Sequence, residues 1–447
     1  MNSMMIDQAQ PTSLNLEPYW LPFTPNRYFK KHPKLVASAK GAYYRTLDGR
    51  DLFDCLSGMW CCPLGHAHPK IVEALTRQAE TLDYCPAFQV SNPLTLRLAE
   101  RIAALAPPML DHVFFTNSGS DSVDTALKIA IGYHRANGAG NRFRLIGRER
   151  GYHGVGFGGI SVGGMVANRK MFAPLMLHGV DHLPHTYERS RMAFSRGQPV
   201  WGGHLADELE RLVGLHDAST IAAVIVEPVQ GSTGVIVPPV GYLERLREIC
   251  TRYDILLIFD EVITGFGRMG ANFAAERFGV VPDMITFAKG ITNGVVPMGG
   301  VLLRKQIYQT FMSGPDSAIE FCHGYTYSGH PMAAAVGHAT LDVMLDEGLI
   351  QRARELEPFL EQAVHSLKDE PGVLDIRNIG LAAGIDLAPF TGQPGQRALR
   401  IFERGIEEGL LLRFTGDTIA LGPPFISTTL QIERMIEGLR TVIRAVN

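Results

Sequence analysis

Residues 254–290 read DILLIFDEVITGFGRMGANFAAERFGVVPDMITFAKG, and two pieces of this stretch decide how the chain folds. Ile255-Leu-Leu-Ile-Phe is an unbroken apolar run ending on Asp260, and Met284-Ile-Thr-Phe-Ala is a second ending on Lys289. Short apolar runs without polar alternation, bounded by turn residues, read as strands buried on both faces of a parallel sheet. Further out, similar runs predict strands over 112–116, 143–147 and 222–226. Between them, helical spacing predicts a helix over 120–136 with Val123, Ala126, Leu127, Ala130 and Ile131 on one face. Another helix, over 242–253, is entered through Pro238-Pro239 and Gly241. The alternation defines an α/β protein.

A chain of 447 residues is too long for one simple core, so about two domains are expected. Residues 70–335 read as one large α/β unit with a mainly parallel central sheet. Residues 1–69 carry hairpin-like pieces around Asp48-Gly49. Residues 336–447 continue a long helical pattern from Pro331 into an α+β tail. The two ends together are expected to form a smaller α+β domain.

The formal net charge of −3 and the absence of a Lys/Arg stripe argue against nucleic acid as a partner. None of the six cysteines forms a Cys-x-x-Cys pair, so no metal is expected. The segment 1–16 is polar, so no secretory signal is expected. No run approaches the roughly 20 apolar residues that span a bilayer, so the cytoplasm is the expected address and no membrane partner is expected.

Two stretches match G-x-G-x-x-G, Gly154 to Gly159 and Gly265 to Gly270, and raise a dinucleotide-binding alternative. In the second, Asp260 to Thr264 separate the strand from the first glycine, too many residues for a tight strand-to-helix turn.

Lys289 and Asp260 point to a different chemistry. A lysine just beyond a buried strand loses proton affinity through burial, which makes its amine a better nucleophile. A lone lysine at a strand end is ordinarily one that snorkels to water. Its partner changes the odds: a carboxylate delivered by the adjacent strand is costly when isolated, and a protonated pyridine nitrogen would satisfy it. The combination points to pyridoxal 5′-phosphate (PLP). Thr116-Asn-Ser-Gly-Ser-Asp121 leads into the 120–136 helix and offers a phosphate seat or a simple N-cap. Tyr152-His153 follows the 143–147 strand, placing an aromatic ring where it could stack on the cofactor.

Asn117-Ser-Gly-Ser-Asp, Gly151-Tyr-His-Gly, Glu227-Pro-Val-Gln-Gly, Asp260-Glu-Val-Ile-Thr-Gly-Phe-Gly-Arg, Ala288-Lys-Gly and Gly324-Tyr-Thr-Tyr-Ser-Gly-His-Pro occur in this order. From about Pro22 onward the chain resembles the class III (ω-amino acid) aminotransferases of PLP fold type I. Within the class it is most similar to the β-alanine–pyruvate transaminases, through Leu21-Pro-Phe-Thr, Ser57-Gly-Met-Trp-Cys and Arg413-Phe-Thr-Gly-Asp-Thr.

The resemblance implies that Lys289 holds the cofactor as a Schiff base and shuttles the proton. Asp260 would bind the pyridine nitrogen, with Val262 beneath the ring and Tyr152 above it. Ser118, Gly119 and Ser120 would hold the phosphate, joined by Thr326 of a neighbouring subunit. His153, Ile263 and Tyr325 complete the expected cofactor set, with Glu227 as a supporting group. Arg413 would bind the substrate carboxylate, and Phe23, Trp60 and Phe88 would shape the pocket, Phe88 from the partner chain. The implied assembly is a homodimer or a dimer of dimers.

The sequence also departs from the class. Ornithine and 4-aminobutyrate members carry Glu at the position of Ser232 and Gln at that of Ile263, which argues against those activities. Asp121 stands where Glu is usual, and Cys62-Pro-Leu replaces a more polar run. The implied reaction moves an amino group from an ω-amino acid or primary amine to pyruvate, giving alanine, with ping-pong kinetics. The alternatives are another donor or acceptor within the class, a nicotinamide-dependent dehydrogenase, and a binding protein that has kept the fold.

Overall fold

The computed structural model describes residues 14–447, so most of the polar segment 1–16 lies outside the described residues. Its centre is a seven-stranded sheet in the order Leu110–Thr116, Gly299–Arg304, Met284–Phe287, Leu256–Asp260, Ile221–Val226, Arg144–Arg148, Val180–Leu183. All neighbouring pairs are parallel except those made by Gly299–Arg304, which runs antiparallel to both neighbours. Every residue of Ile221–Val226, Leu256–Asp260 and Met284–Phe287 is buried, as expected for strands covered by helices on both faces.

The five strands expected from sequence lie in this sheet within a residue or two of their expected ends. Two further strands were not expected. Gly299–Arg304 opens on Gly-Gly, a turn signal in sequence; here a Cβ on Gly300 would run into the ring of Phe287, so glycine permits the strands to approach. Val180–Leu183 is four residues with two polar members at the sheet edge.

The helix expected over 120–136 runs Gly119–Ala136, and its Ser118 cap accepts the Asp121 N–H at 3.2 Å. The 242–253 helix runs Tyr242–Arg252, and the pattern from Pro331 gives Pro331–Asp346 followed by Leu349–His365.

A second sheet is antiparallel, in the order Val373–Ile379, Ala382–Leu387, Thr418–Leu421, Arg413–Thr415. The hairpin at Asp48-Gly49 joins Tyr43–Thr46 to Asp51–Asp54, with Gly49 at φ +85°. That hairpin belongs to a third sheet, whose last member is Leu410–Leu411, parallel to Asp51–Asp54 with Leu410 opposite Phe53. The two chain ends are therefore joined by strand pairing. Among the described residues no helix is long and apolar enough to cross a membrane, and no cluster could hold a metal ion.

Candidate active site

Parallel strands deliver their C-terminal ends to one edge of the sheet, and the polar residues converge there. Asp260 ends its strand with only 6% of its surface exposed. Its Oδ2 accepts the Nδ1–H of His153 at 2.7 Å, and its Oδ1 accepts the Thr286 hydroxyl at 3.1 Å and the Val262 N–H at 3.2 Å. Three donors satisfy the carboxylate inside a buried site, where an unpartnered one would be costly.

Lys289 lies two residues past the end of the adjacent strand and begins a short 3₁₀ turn at φ +49°. A left-handed conformation at a lysine costs about 1–2 kcal/mol, and such strain concentrates at functional positions. Burial pulls its ammonium below the usual lysine range, while Cys61, Asp260 and Glu227 oppose the shift.

Lys289 and Asp260 line one cavity with Tyr152, His153, Glu227 and Ile263, and Val262 and the glycines Gly119 and Gly154 close its walls. The N-terminus of the Gly119–Ala136 helix opens onto this cavity, where free N–H groups and the helix dipole favour an anion. A Cβ on Gly119 would stand 2.9 Å from Val262 Cγ1, and one on Gly154 would stand 2.5 Å from Ser120 Oγ. Ser120 Oγ also accepts the Val155 N–H at 3.1 Å, fixing the loop that carries Tyr152 and His153. Ser118 contributes its cap rather than a wall of the cavity.

Glu227 accepts the Tyr152 N–H at 2.9 Å and the Gly231 N–H at 3.2 Å, so it clamps the tyrosine loop to the loop after its own strand. Burial pushes its carboxyl up to about 7, with His153 opposing and Asp260 reinforcing. The Tyr152 phenol is also raised, mainly by burial and then by Asp260 and Glu227, whereas Arg413 lowers it. Arg413 opens the Arg413–Thr415 strand, and its charge reaches the Tyr152 phenol. Among the described residues no carboxylate acts on its guanidinium, and Ser232 offers only a backbone oxygen, to the Thr415 hydroxyl at 3.0 Å.

Glu261, next to Asp260 in the chain, points away from solvent and has a duty of its own. It is buried and accepts the Ala274 N–H at 2.5 Å, the Ala275 N–H at 2.9 Å and the Thr264 hydroxyl at 2.9 Å. It therefore caps the Ala274–Phe278 helix, and burial pushes it up to about 7.

Ser118, Trp60 and Arg413 do not line this cavity, and four further expected residues have other surroundings within one chain. The Tyr325 hydroxyl lies 3.4 Å from that of Thr125, and the Thr326 carbonyl accepts the Tyr84 hydroxyl at 3.2 Å. Phe88 is 58% exposed in a separate groove beside Gly324, and Phe23 is 69% exposed. Trp60 is buried in an apolar cluster with Val229, against which the cavity residue Ile263 packs.

The glycine matches have other duties. Gly156 precedes the six-residue helix Phe157–Val162, but the Asp124 carboxylate already accepts the Gly159 N–H there at 2.8 Å, leaving no seat for a phosphate. Gly267 packs against Phe425 in a loop, and no helix opens on Gly265 to Gly270.

A half-buried lysine just past one strand and a buried aspartate ending its neighbour, facing a helix N-terminus across one cavity, on this sheet, define a PLP enzyme of fold type I. The residues fit the cofactor: an amine for its aldehyde, a three-donor carboxylate for its ring nitrogen, and a glycine-walled helix N-terminus for its phosphate. The family model Aminotransferase class-III matches residues 26–443, and the chain belongs to that family.

The chain is 58% identical over 433 residues to the omega-aminotransferase of Caulobacter vibrioides, covering 97% of this chain and 98% of that one. It is 49% identical over 449 residues to the beta-alanine–pyruvate aminotransferase of Pseudomonas aeruginosa, covering 99% of each. The PLP-bound amine transaminase from an uncultivated Pseudomonas species superposes with a TM-score of 0.89 at 33% identity, over 96% of this chain and 99% of that one. The protein is an aminotransferase, and the dehydrogenase and non-catalytic readings fall.

Proposed function

We propose that the protein moves the amino group of an ω-amino acid such as β-alanine, or of a primary amine, to pyruvate, giving alanine. The observation that carries this reading is Arg413, a guanidinium whose charge reaches the Tyr152 phenol and on which no carboxylate acts among the described residues. It is available to grip the carboxylate of the oxo acid bidentately, and its long stem can withdraw for an uncharged amine. The names of the two relatives agree with this substrate pair.

When bound, PLP supplies an aldehyde carbon that takes up the amino group and a cationic ring that withdraws electrons from the substrate carbon. Lys289 would hold the cofactor and, as a free amine, would carry the proton off the substrate carbon. A positioned acid–base group contributes about 10²–10⁴-fold. Asp260 would hold the ring nitrogen, and His153 and Thr286 orient its carboxylate by their hydrogen bonds. Tyr152 and Val262 would hold the ring, and Gly119 and Ser120, on the helix that Ser118 caps, would hold the phosphate. Glu227 fixes the Tyr152 loop.

We further propose that the site is completed by a second copy of the chain. Thr326 and Phe88 would reach the partner's cavity, Tyr325 would brace Thr326, and Phe23 would close the pocket mouth. Residues 70–335 would act as the cofactor domain, with 1–69 and 336–447 forming the smaller one. The cytoplasm is the proposed address.

The test is a half-reaction screen. The PLP-loaded protein is mixed with one donor at a time, and loss of its visible absorption is followed. β-Alanine and short ω-amino acids should bleach it, and pyruvate should restore it with release of alanine. Bleaching by uncharged amines alone would overturn the proposed donor class.

A further inference from the structure

Residues 57–60 form a left-handed turn, with φ of +48° at Ser57, +55° at Gly58, +62° at Met59 and +70° at Trp60. L-residues avoid this region, and a run of them persists only where the surroundings impose it. Two oppositely charged groups do so here. Asp54 Oδ1 accepts the Leu56 N–H at 3.1 Å, and its Oδ2 accepts the Gly58 N–H at 2.6 Å and lies 2.9 Å from His66 Nε2.

Arg268 holds the turn as well. Its Nη2 donates to Ser57 Oγ at 2.9 Å, and that hydroxyl donates to the Gly422 carbonyl at 2.7 Å. Its Nη1 donates to the carbonyls of Leu381 at 3.1 Å and Pro423 at 2.8 Å. The guanidinium carbon lies 5.4 Å from the Trp60 ring centroid and 4.8 Å from that of Phe425, within cation–π range of both. Arg268 is 2% exposed. Burial draws its proton affinity down to about 9, and Asp54 opposes that shift. Gly422 lies so close to the indole that a Cβ there would overlap it.

This arrangement is more than a sealed core. Trp60 shares its cluster with Val229 and Ile263, and the thiol of Cys61, next in the chain, is close enough to Lys289 to act on its charge. The turn thus seats the indole in the apolar cluster against which the cavity residue Ile263 packs.

We propose that Arg268, braced by Asp54, is a specificity-determining positioning residue that fixes the indole of Trp60 and so sets the size of amine donor admitted. The inference rests on the reading above that Trp60 shapes the substrate pocket. Losing the guanidinium removes the donor to Ser57 and the charge beside the indole, and the strained turn relaxes with its tryptophan.

The experiment measures kcat/KM of the holoenzyme with pyruvate for two donors, β-alanine and a bulky arylalkyl amine. The variants are Arg268→Met, Arg268→Lys, Trp60→Gly and the Arg268→Met/Trp60→Gly double. Arg268→Met should raise the bulky-to-small ratio at least fivefold, and Arg268→Lys should return part of the way. In the Trp60→Gly background the same Arg268→Met change should move the ratio less than twofold. Equal losses for both donors, or equal shifts in both backgrounds, would overturn the inference. A Trp60→Gly variant with an unaltered ratio would remove the pocket assignment and the inference with it. Where Arg268→Met yields no folded holoenzyme, Asp54→Asn, which keeps the side chain's shape, should raise the ratio at least twofold. An unchanged ratio there counts against the inference.

Discussion

His153 Nδ1 stands 2.7 Å from Asp260 Oδ2, and both side chains are almost wholly out of water. A charged hydrogen bond of this kind contributes about 1.5–3 kcal/mol, and a buried acceptor left without its donor loses at least as much. His153→Ala should therefore weaken PLP retention ten- to hundredfold, read by titrating the apoprotein with PLP and following its absorption. Unchanged affinity would show that Thr286 and the Val262 N–H hold Asp260 unaided.

Arg413→Ala should separate charged from uncharged substrates. A charged hydrogen bond to the carboxylate is again about 1.5–3 kcal/mol, so kcat/KM for β-alanine and for pyruvate should fall ten- to hundredfold. The half-reaction with an uncharged arylalkyl amine should stay within about threefold, since the guanidinium has nothing to grip there. A uniform loss across donors would assign Arg413 to folding instead.

Gly119→Ala tests the cradle at the helix N-terminus. The new methyl would meet Val262 Cγ1 at 2.9 Å, and overpacking of this kind costs about 1–3 kcal/mol. PLP affinity should drop by a factor of ten or more and recover in the Gly119→Ala/Val262→Ala double. Failure of the second change to restore binding would place the damage elsewhere.

Glu261 gives a pH prediction whose sign follows from burial. Its carboxyl moves from 4.5 to about 7 on folding, so the folded state binds more protons between those values. Stability from this group is complete below about pH 4.5 and is lost as pH rises through about 7. Glu261→Gln cannot ionise. Its stability relative to the parent should therefore improve between pH 5 and 8, by up to about 3 kcal/mol, measured by urea unfolding at stepped pH. A difference that stays flat across that window contradicts the buried acid.

The site was legible in sequence where one strand delivers one residue. Asp260 and Lys289 follow apolar runs, and the runs alone place them at the sheet's C-terminal edge. The glycines of the phosphate seat were legible as a motif, but their reason, the approach of Val262 and Ser120, is a contact between segments far apart in the chain. The same distance hid the capping role of Glu261, whose partners lie 13 and 14 residues on, and the clamp of Arg268 on Ser57, 211 residues away. Gly299–Arg304 escaped because a glycine pair reads as a turn until the neighbouring Phe287 ring is known. Tyr325, Thr326, Phe23 and Phe88 were legible only by family likeness, since no single chain carries them to the cavity.

The proposed chemistry depends on Lys289 being the amine that holds the cofactor. Borohydride reduction of the PLP-loaded protein, followed by proteolysis and mass spectrometry, tests it directly. The account predicts that the added mass sits on the peptide containing residue 289, and that Lys289→Ala abolishes both the label and transamination. A label on any other lysine, or a Lys289→Ala variant that still transaminates at the parent's rate, would contradict it.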